Sequence, residues 1–181
     1  MTTSTSADAA TFLKILAFGA SLTEGFYNGG RDFHPYSIEL EKCIDQFYCA
    51  QGIDREAMIH QLGMSGEYTS HMIPRLYGII NRSLSVPYKF VCILAGTNDL
   101  ALTDSGEVIF ERIKHMYNMV LDHGDGGTIL VAITIPQSYF TDPSYIEKRD
   151  VINREIKKFC TEINTREGRV KAILVDFEAL I

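Results

Sequence analysis

The sequence lacks the features that mark several large classes of protein. Its 181 residues carry a net charge of -6 and contain no basic cluster, which argues against a nucleic-acid or anionic-membrane surface. The N-terminal stretch has no basic region, and the apolar run after it contains Lys14 and is too short for a signal or membrane segment. Neither a Walker A nor a GxGxxG sequence follows any predicted strand, so a nucleotide binder has little support. We therefore expect no nucleic-acid partner and no membrane span.

Cysteine is scarce as well. The four cysteines are Cys43, Cys49, Cys92 and Cys160, none of them in a CxxC motif and none at metal-ligand spacing from a histidine. This pattern predicts no metal site. It also predicts four reduced thiols, which are typical of a cytoplasmic protein.

What the sequence does contain is the composition of an ordinary globular domain. Hydrophobic residues make up 46% of the chain and charged residues 22%. A chain of this length fits one domain with a full hydrophobic core. Residues 1–11 are small and polar and are predicted to form a flexible tail, while residues 12–181 form the single domain.

Five short apolar segments alternate with four amphipathic segments along the chain. Strands are predicted at about residues 13–18, 57–62, 89–95, 128–134 and 170–177. Helices are predicted at about residues 35–49, 70–84, 105–123 and 145–167. Such alternation predicts a parallel sheet with helices on both faces. The expected fold is a three-layer α/β/α sandwich whose five strands have the flavodoxin-like order 2-1-3-4-5.

Polar clusters follow three successive predicted strands. Ser21 comes after the first strand, Gly66 after the second and Asn98 after the third. The carboxyl ends of parallel strands lie at one edge of the sheet, where open α/β sheets bind ligands. A hydroxyl that can attack a carbonyl then meets a backbone N–H and a carboxamide that can donate to the resulting oxyanion. The combination predicts acyl transfer.

Each of these residues also has a purely structural interpretation. Ser21 is a favoured residue type for capping the helix that follows it, and Asn98 with Asp99 is equally suited to capping the next helix. Gly66 suits a chain reversal. The residues alone leave the structural and the catalytic interpretation open.

Three sequence blocks resemble those of the SGNH, or GDSL-type, hydrolases: GASLTEG at 19–25, MSGEYTS at 64–70 and GTNDLA at 96–101. Ala20 stands where the first block usually has aspartate. The resemblance implies that Ser21 is the nucleophile and that the Ser21 N–H, the Gly66 N–H and the Asn98 side chain form the oxyanion hole. It further implies hydrolysis of esters or thioesters of lipids, acylated sugars or small acyl compounds without a cofactor.

The resemblance fails at the last block of the family, Asp-x-x-His, which carries the base. Asp176 is followed by Phe177, Glu178 and Ala179, so no histidine stands three residues later. A serine is a poor nucleophile without a base. We expect a shortened sequence; the alternatives are substitution by another histidine, for which His34 is the candidate, or an inactive binding domain.

The remaining histidines are given other roles. His60 is predicted to be structural, His71 to cap a helix or face solvent, and His115 and His123 to be solvated. The aromatic residues Tyr139, Phe140 and Tyr145 either line an acyl pocket or form a plain surface loop.

A helix after the fifth strand would pack on the same sheet face as the helix after the first strand. Without that helix, part of one face is predicted to be an exposed apolar patch or to be buried by a partner chain. A homo-oligomer that covers the open face is therefore among the expected partners, together with a small acyl-ester substrate.

Overall fold

A computed structural model describes residues 12–83, 86–123, 126–138 and 141–177. The predicted tail at 1–11 lies outside these residues and stays a prediction. In chain order the elements are β1 (Phe12–Gly19), α1 (Ser21–Glu24), β2 (Phe26–Tyr27), β3 (Asp32–Phe33), α2 (Tyr36–Ala50), β4 (Glu56–Gly63), α3 (Thr69–Arg82), β5 (Phe90–Leu94), α4 (Gly106–Leu121), β6 (Ile129–Ile133), α5 (Pro143–Glu167) and β7 (Ala172–Val175).

The main sheet has the order β4-β1-β5-β6-β7, and every pair of neighbours is parallel. Counting only these five strands, the order is 2-1-3-4-5, so the predicted fold is confirmed. The register sets Gly19 opposite both Gly63 and Leu94, so β1, β4 and β5 end at the same level. The three polar clusters therefore start from a common edge.

One side of the sheet, here called the closed face, carries three helices. Apolar side chains from alternate strand positions pack there against α3, α4 and α5 in a single core cluster. The strand residues in this cluster are Leu16, Phe18, Val91, Ile93, Leu130, Ala132 and Ala172. Because a parallel sheet is apolar on both sides, the intervening strand positions must be covered as well.

The intervening side chains form the other side, here called the open face. Leu13, Ile15, Cys92, Leu94 and Ile133 make a smaller cluster there, packed against α2. Among the described residues a groove of about 920 Å³ remains between α2 and strands β5 to β7. The predicted exposed apolar patch is thus confirmed, whereas its coverage by a second copy of the chain stays a prediction.

Two details differ from the sequence prediction. The loop after Ser21 contains the hairpin of β2 and β3, because strands of two residues are too short to leave an alternating pattern. His123 is 9% exposed rather than solvated, because it follows the end of α4 and its N–H donates back to the carbonyl of Val120 at 3.4 Å. None of the described helices is long and apolar enough to cross a membrane.

Candidate active site

Ser21, Gly66 and Asn98 all lie at the carboxyl edge of the sheet. They follow the last residues of β1, β4 and β5 by two, three and four positions. Since β1 lies between β4 and β5, Ser21 leaves the central strand and the other two residues leave the strands on either side. The topology therefore gathers all three predicted site residues at one edge.

The short helix α1 presents Ser21 without using its side chain as a cap. Ala20 occupies the N-cap position, and its carbonyl accepts hydrogen bonds from the N–H groups of Thr23 and Glu24 at 3.1 and 3.0 Å. No side-chain cap is made. The helix-capping interpretation of Ser21 is therefore wrong, and its half-buried side chain is left at the sheet edge.

Two glycines allow α1 to lie directly on the strand ends. A Cβ atom added at Gly63 would lie 2.2 Å from the backbone nitrogen of Glu24, and one added at Gly19 would lie 2.2 Å from Thr23 Oγ1. The Glu24 carboxylate also accepts hydrogen bonds from the N–H of Ser65, at 2.7 Å, and from its hydroxyl. The helix that begins at Ser21 is thereby joined to the turn that contains Gly66.

Gly66 lies in this turn with a φ of +78°. A Cβ atom there would meet nothing within 4 Å, so the requirement for glycine comes from the backbone conformation and not from crowding. Within the described part of the chain, its N–H makes no hydrogen bond. That N–H is therefore available to an incoming acceptor.

Asn98 is bonded to the residue that follows Gly66. Its Nδ2 donates to the backbone carbonyl of Glu67 at 2.9 Å. A carboxamide nitrogen carries two hydrogens, so one remains for a ligand. The hydrogen bond brings the predicted pair of Gly66 and Asn98 together at the site.

Asp99, next to Asn98, has a separate structural role. Its buried carboxylate accepts the Thr69 N–H at 3.0 and 3.2 Å and the Thr69 hydroxyl at 2.5 Å, which caps the start of α3. The following helix, α4, is capped by Ser105 instead. The interpretation that Asn98 and Asp99 cap α4 is therefore wrong. Sequence spacing gave no sign of this role, because Thr69 is 30 residues away.

His34 and His71 belong to segments at the carboxyl edge. The His34 ring is exposed and lies 3.9 Å from a carboxylate oxygen of Glu39. It lines a small surface pocket with Leu22, the neighbour of Ser21. His71 is exposed in the first turn of α3 and makes an edge-on contact with Tyr68.

The other three histidines are either bonded to another side chain or lie away from the candidate site. His60 Nδ1 lies 2.8 Å from the hydroxyl of Tyr88, and burial, with a smaller contribution from Lys14, lowers its pKa. His115 is exposed on α4, and His123 follows the end of that helix at the opposite edge of the sheet. The expectations that His60 is structural and that His115 is solvated are confirmed.

The described residues contain no group of three or more His, Cys, Asp and Glu side chains arranged to hold a metal ion. Tyr145 packs against the core of the closed face. Tyr139 and Phe140, the other two aromatic residues of the suggested acyl pocket, lie outside the described residues.

A sequence model of the GDSL-like lipase/acylhydrolase family matches residues 17–180, and no curated protein sequence matches the chain significantly. The solved structure of AlinE4, an SGNH-hydrolase family esterase, is 21% identical, with a TM-score of 0.62 over 92% of this chain and 78% of that one. A lipolytic protein of the G-D-S-L family from Veillonella parvula is 19% identical, with a TM-score of 0.65 over 91% and 77% of the two chains. The psychrotrophic esterase EstA from Pseudoalteromonas sp. is 16% identical, with a TM-score of 0.61 over the same shares.

Proposed function

Because the chain belongs to the GDSL-like lipase/acylhydrolase family, we propose that it is a serine hydrolase that cleaves carboxylic esters or thioesters of small acyl compounds. The observation that carries the proposal is the hydrogen bond from Asn98 to the Glu67 carbonyl. It joins a carboxamide to the turn that contains Gly66, whose N–H makes no hydrogen bond among the described residues, at the edge where Ser21 leaves the central strand. A hydroxyl nucleophile and oxyanion donors are two of the components of acyl transfer, and the third is a base that accepts the hydroxyl proton.

In the proposed reaction, Ser21 Oγ attacks the carbonyl carbon of the substrate while a base accepts the hydroxyl proton. The carbonyl oxygen becomes an oxyanion, which accepts hydrogen bonds from the N–H groups of Ser21 and Gly66 and from Asn98 Nδ2. Collapse of this intermediate expels the protonated alcohol or thiol, and water then hydrolyses the acyl-serine. Each oxyanion donor in such a site typically contributes a factor of about 10² to 10³ in rate.

The base of the proposed reaction does not come from the Asp-x-x-His motif at Asp176. The family motif places a histidine three residues after an aspartate, and the residue three positions after Asp176 is Ala179. Among the described histidines, His34 is the candidate substitute, because it shares a pocket with Leu22 beside Ser21. Its exposed ring is 3.9 Å from a carboxylate oxygen of Glu39.

The alternative function is that of a binding domain, or pseudoenzyme, that holds acyl esters without cleaving them. The residue three positions after Asp176 is Ala179 and not the histidine of the family motif, which supports this alternative. This alternative predicts that the donors still bind an oxyanion mimic, while Ser21 forms no covalent bond.

A fluorophosphonate probe followed by intact-mass measurement tests the proposal. We expect one covalent adduct on the wild-type chain and none on Ser21→Ala. Hydrolysis of p-nitrophenyl acetate should be lost in the same variant, and Asn98→Ala should reduce kcat by about 10² to 10³. Ser70→Ala, which removes an exposed serine from the same edge, is the matched control and should behave as wild type.

The outcomes separate the two functions. An adduct that forms equally on Ser21→Ala would remove Ser21 from the mechanism. No adduct on any variant, even with added imidazole as an external base, would favour the binding domain. A strongly reduced rate in His34→Ala, with a residual activity that no longer falls at acidic pH, would identify His34 as the base.

We also propose a cytoplasmic location, which four unpaired cysteines support. Cys43 and Cys49 are exposed as free thiols. Localisation of the tagged chain by cell fractionation tests this proposal.

A further inference from the structure

We propose that Arg75 and Glu67 are a positioning pair that fixes the Gly66 turn against the end of β1 and so sets the geometry of the oxyanion donors. The inference rests on the proposed function, since it concerns the same site. Neither side chain is needed for the chemistry itself. Both act through the backbone and through Asn98.

The two side chains form an ion pair in which Glu67 is buried and Arg75 is half-buried. Arg75 Nε lies 2.9 and 3.0 Å from the carboxylate oxygens of Glu67, and Nη2 contacts the same carboxylate. The Arg75 side chain is 19% exposed and that of Glu67 only 6%. Removal of one partner would leave an uncompensated charge in a site shielded from water.

Arg75 also bonds the ends of two strands. Its Nη1 donates to the carbonyl of Leu62 at 2.9 Å, and its Nη2 donates to the carbonyl of Gly19 at 3.1 Å. The guanidinium carbon lies 4.1 Å from the centre of the Phe18 ring. A single side chain of α3 therefore joins β4 to the end of β1, two residues before Ser21.

Glu67 connects this arrangement to the oxyanion donors. It follows Gly66 directly, and its backbone carbonyl accepts the hydrogen bond from Asn98. A movement of Glu67 would displace the Gly66 backbone before it and the Asn98 carboxamide bonded to it. The ion pair therefore sets where both donors stand relative to the strand that leads to Ser21.

The contacts of Arg75 require the planar guanidinium group with its several N–H donors. A lysine at position 75 would keep the positive charge but could not serve the carboxylate, two carbonyls and an aromatic ring at once. We expect Arg75→Lys to lower kcat for p-nitrophenyl acetate by about tenfold with KM nearly unchanged, because donor placement affects the transition state more than substrate binding. Arg55→Lys is the control, since Arg55 is a half-buried arginine that precedes β4 at the opposite edge.

A double-mutant cycle separates positioning from general stability. If Arg75 acts through both donors, Arg75→Lys should lower the fluorophosphonate labelling rate about tenfold in the wild-type chain but only about threefold in the Asn98→Ala background, where Gly66 is the one donor of the pair left to be displaced. A tenfold loss that persists in that background, or an unchanged kcat, would overturn the inference. Should Arg75→Lys fail to fold, Glu67→Gln keeps the shape of the pair, and the same non-additivity is expected of it.

If the wild-type chain neither reacts with the fluorophosphonate nor hydrolyses p-nitrophenyl acetate, the proposed function is refuted but the positioning role is not. Amide NMR signals then test the positioning role. Arg75→Lys should then still shift the Gly66 N–H and Asn98 carboxamide signals, and Arg55→Lys should not. Unchanged Gly66 and Asn98 signals in Arg75→Lys would overturn the positioning role.

Discussion

The two faces of the sheet are built from the same strands and yet are covered very differently. On the closed face, Leu16, Ile93 and Leu130 have no exposed surface beneath α3, α4 and α5. On the open face, α2 packs beside a groove of about 920 Å³, and Ile173 on its floor remains 38% exposed. Alternating apolar strand residues therefore specify that both faces need cover, but not which segment supplies it.

The candidate site depends mainly on the better-packed half of the molecule. Arg75 and the Asp99-capped Thr69 both belong to α3, a helix of the closed face. Arg75 bonds the ends of β1 and β4, and Asp99 fixes the start of α3 next to the Gly66 turn. The oxyanion donors should therefore keep their geometry even if α2 moves on the open face.

The largest expected difference between the two faces is in the free energy of unfolding that is lost when a leucine on each face is replaced by alanine. Leu76→Ala on α3 removes a fully buried side chain and should lower the free energy of unfolding by about 3 kcal/mol. Leu40→Ala on α2 enlarges a groove that is already open and should cost only about 1 kcal/mol. Urea denaturation of both variants measures the two values.

Equal losses of unfolding free energy in Leu76→Ala and Leu40→Ala would contradict the expected difference between the two faces. They would mean that something covers the open face in solution, and light scattering would then show whether it is a second copy of the chain. Tyr77→Ala on α3 is a control, because its side chain is 62% exposed and contributes little to either core.

The two buried thiols offer a second comparison of the faces. Cys92 lines the groove and Cys160 lies in the core of the closed face; they are 5% and 4% exposed. Burial raises the pKa of Cys92 to about 12 and that of Cys160 to about 11, so both thiols stay protonated in the folded chain. In mild urea we expect Cys92 to react first, because local opening of α2 is enough to expose it.

Thiol titration with DTNB in increasing urea measures this order. Cys43 and Cys49 are exposed and should react in native protein, so their double serine variant removes the background. Cys160 reacting before Cys92 would indicate that the open face is no more accessible than the closed one.

The fold was predictable from local patterns, and the supports of the site were not. Continuous apolar runs such as 89–95 and periodic helices such as 105–123 predict the strand order, because α/β alternation leaves few topologies. Ser21, Gly66 and Asn98 could be found because each directly follows a strand. Arg75, whose partners reach back to Gly19, and Asp99, which caps a helix 30 residues earlier, depend on tertiary contacts that no local spacing encodes.

The smallest expected effect is a pH dependence of stability at the polar border of the closed face, which is formed by His60, Tyr88 and Lys14. His60 on β4 accepts or donates a hydrogen bond with Tyr88, a member of the closed-face core, near the Lys14 ammonium. Burial first, and Lys14 second, lower the pKa of His60 from its usual 6.5. Protonation is therefore less favourable in the folded chain, so this group costs stability as the pH falls through about 6.5 towards the folded pKa.

The free energy of unfolding of wild type should thus fall more than that of His60→Gln between about pH 7.5 and pH 5.5. Glutamine keeps a hydrogen-bonding group for Tyr88 but does not titrate, and His115→Gln, at an exposed position on α4, should follow wild type. Carboxylates common to all three chains cancel in the difference. Parallel pH profiles for wild type and His60→Gln would show that water reaches this border freely, and the closed face would then be sealed only beneath its helices.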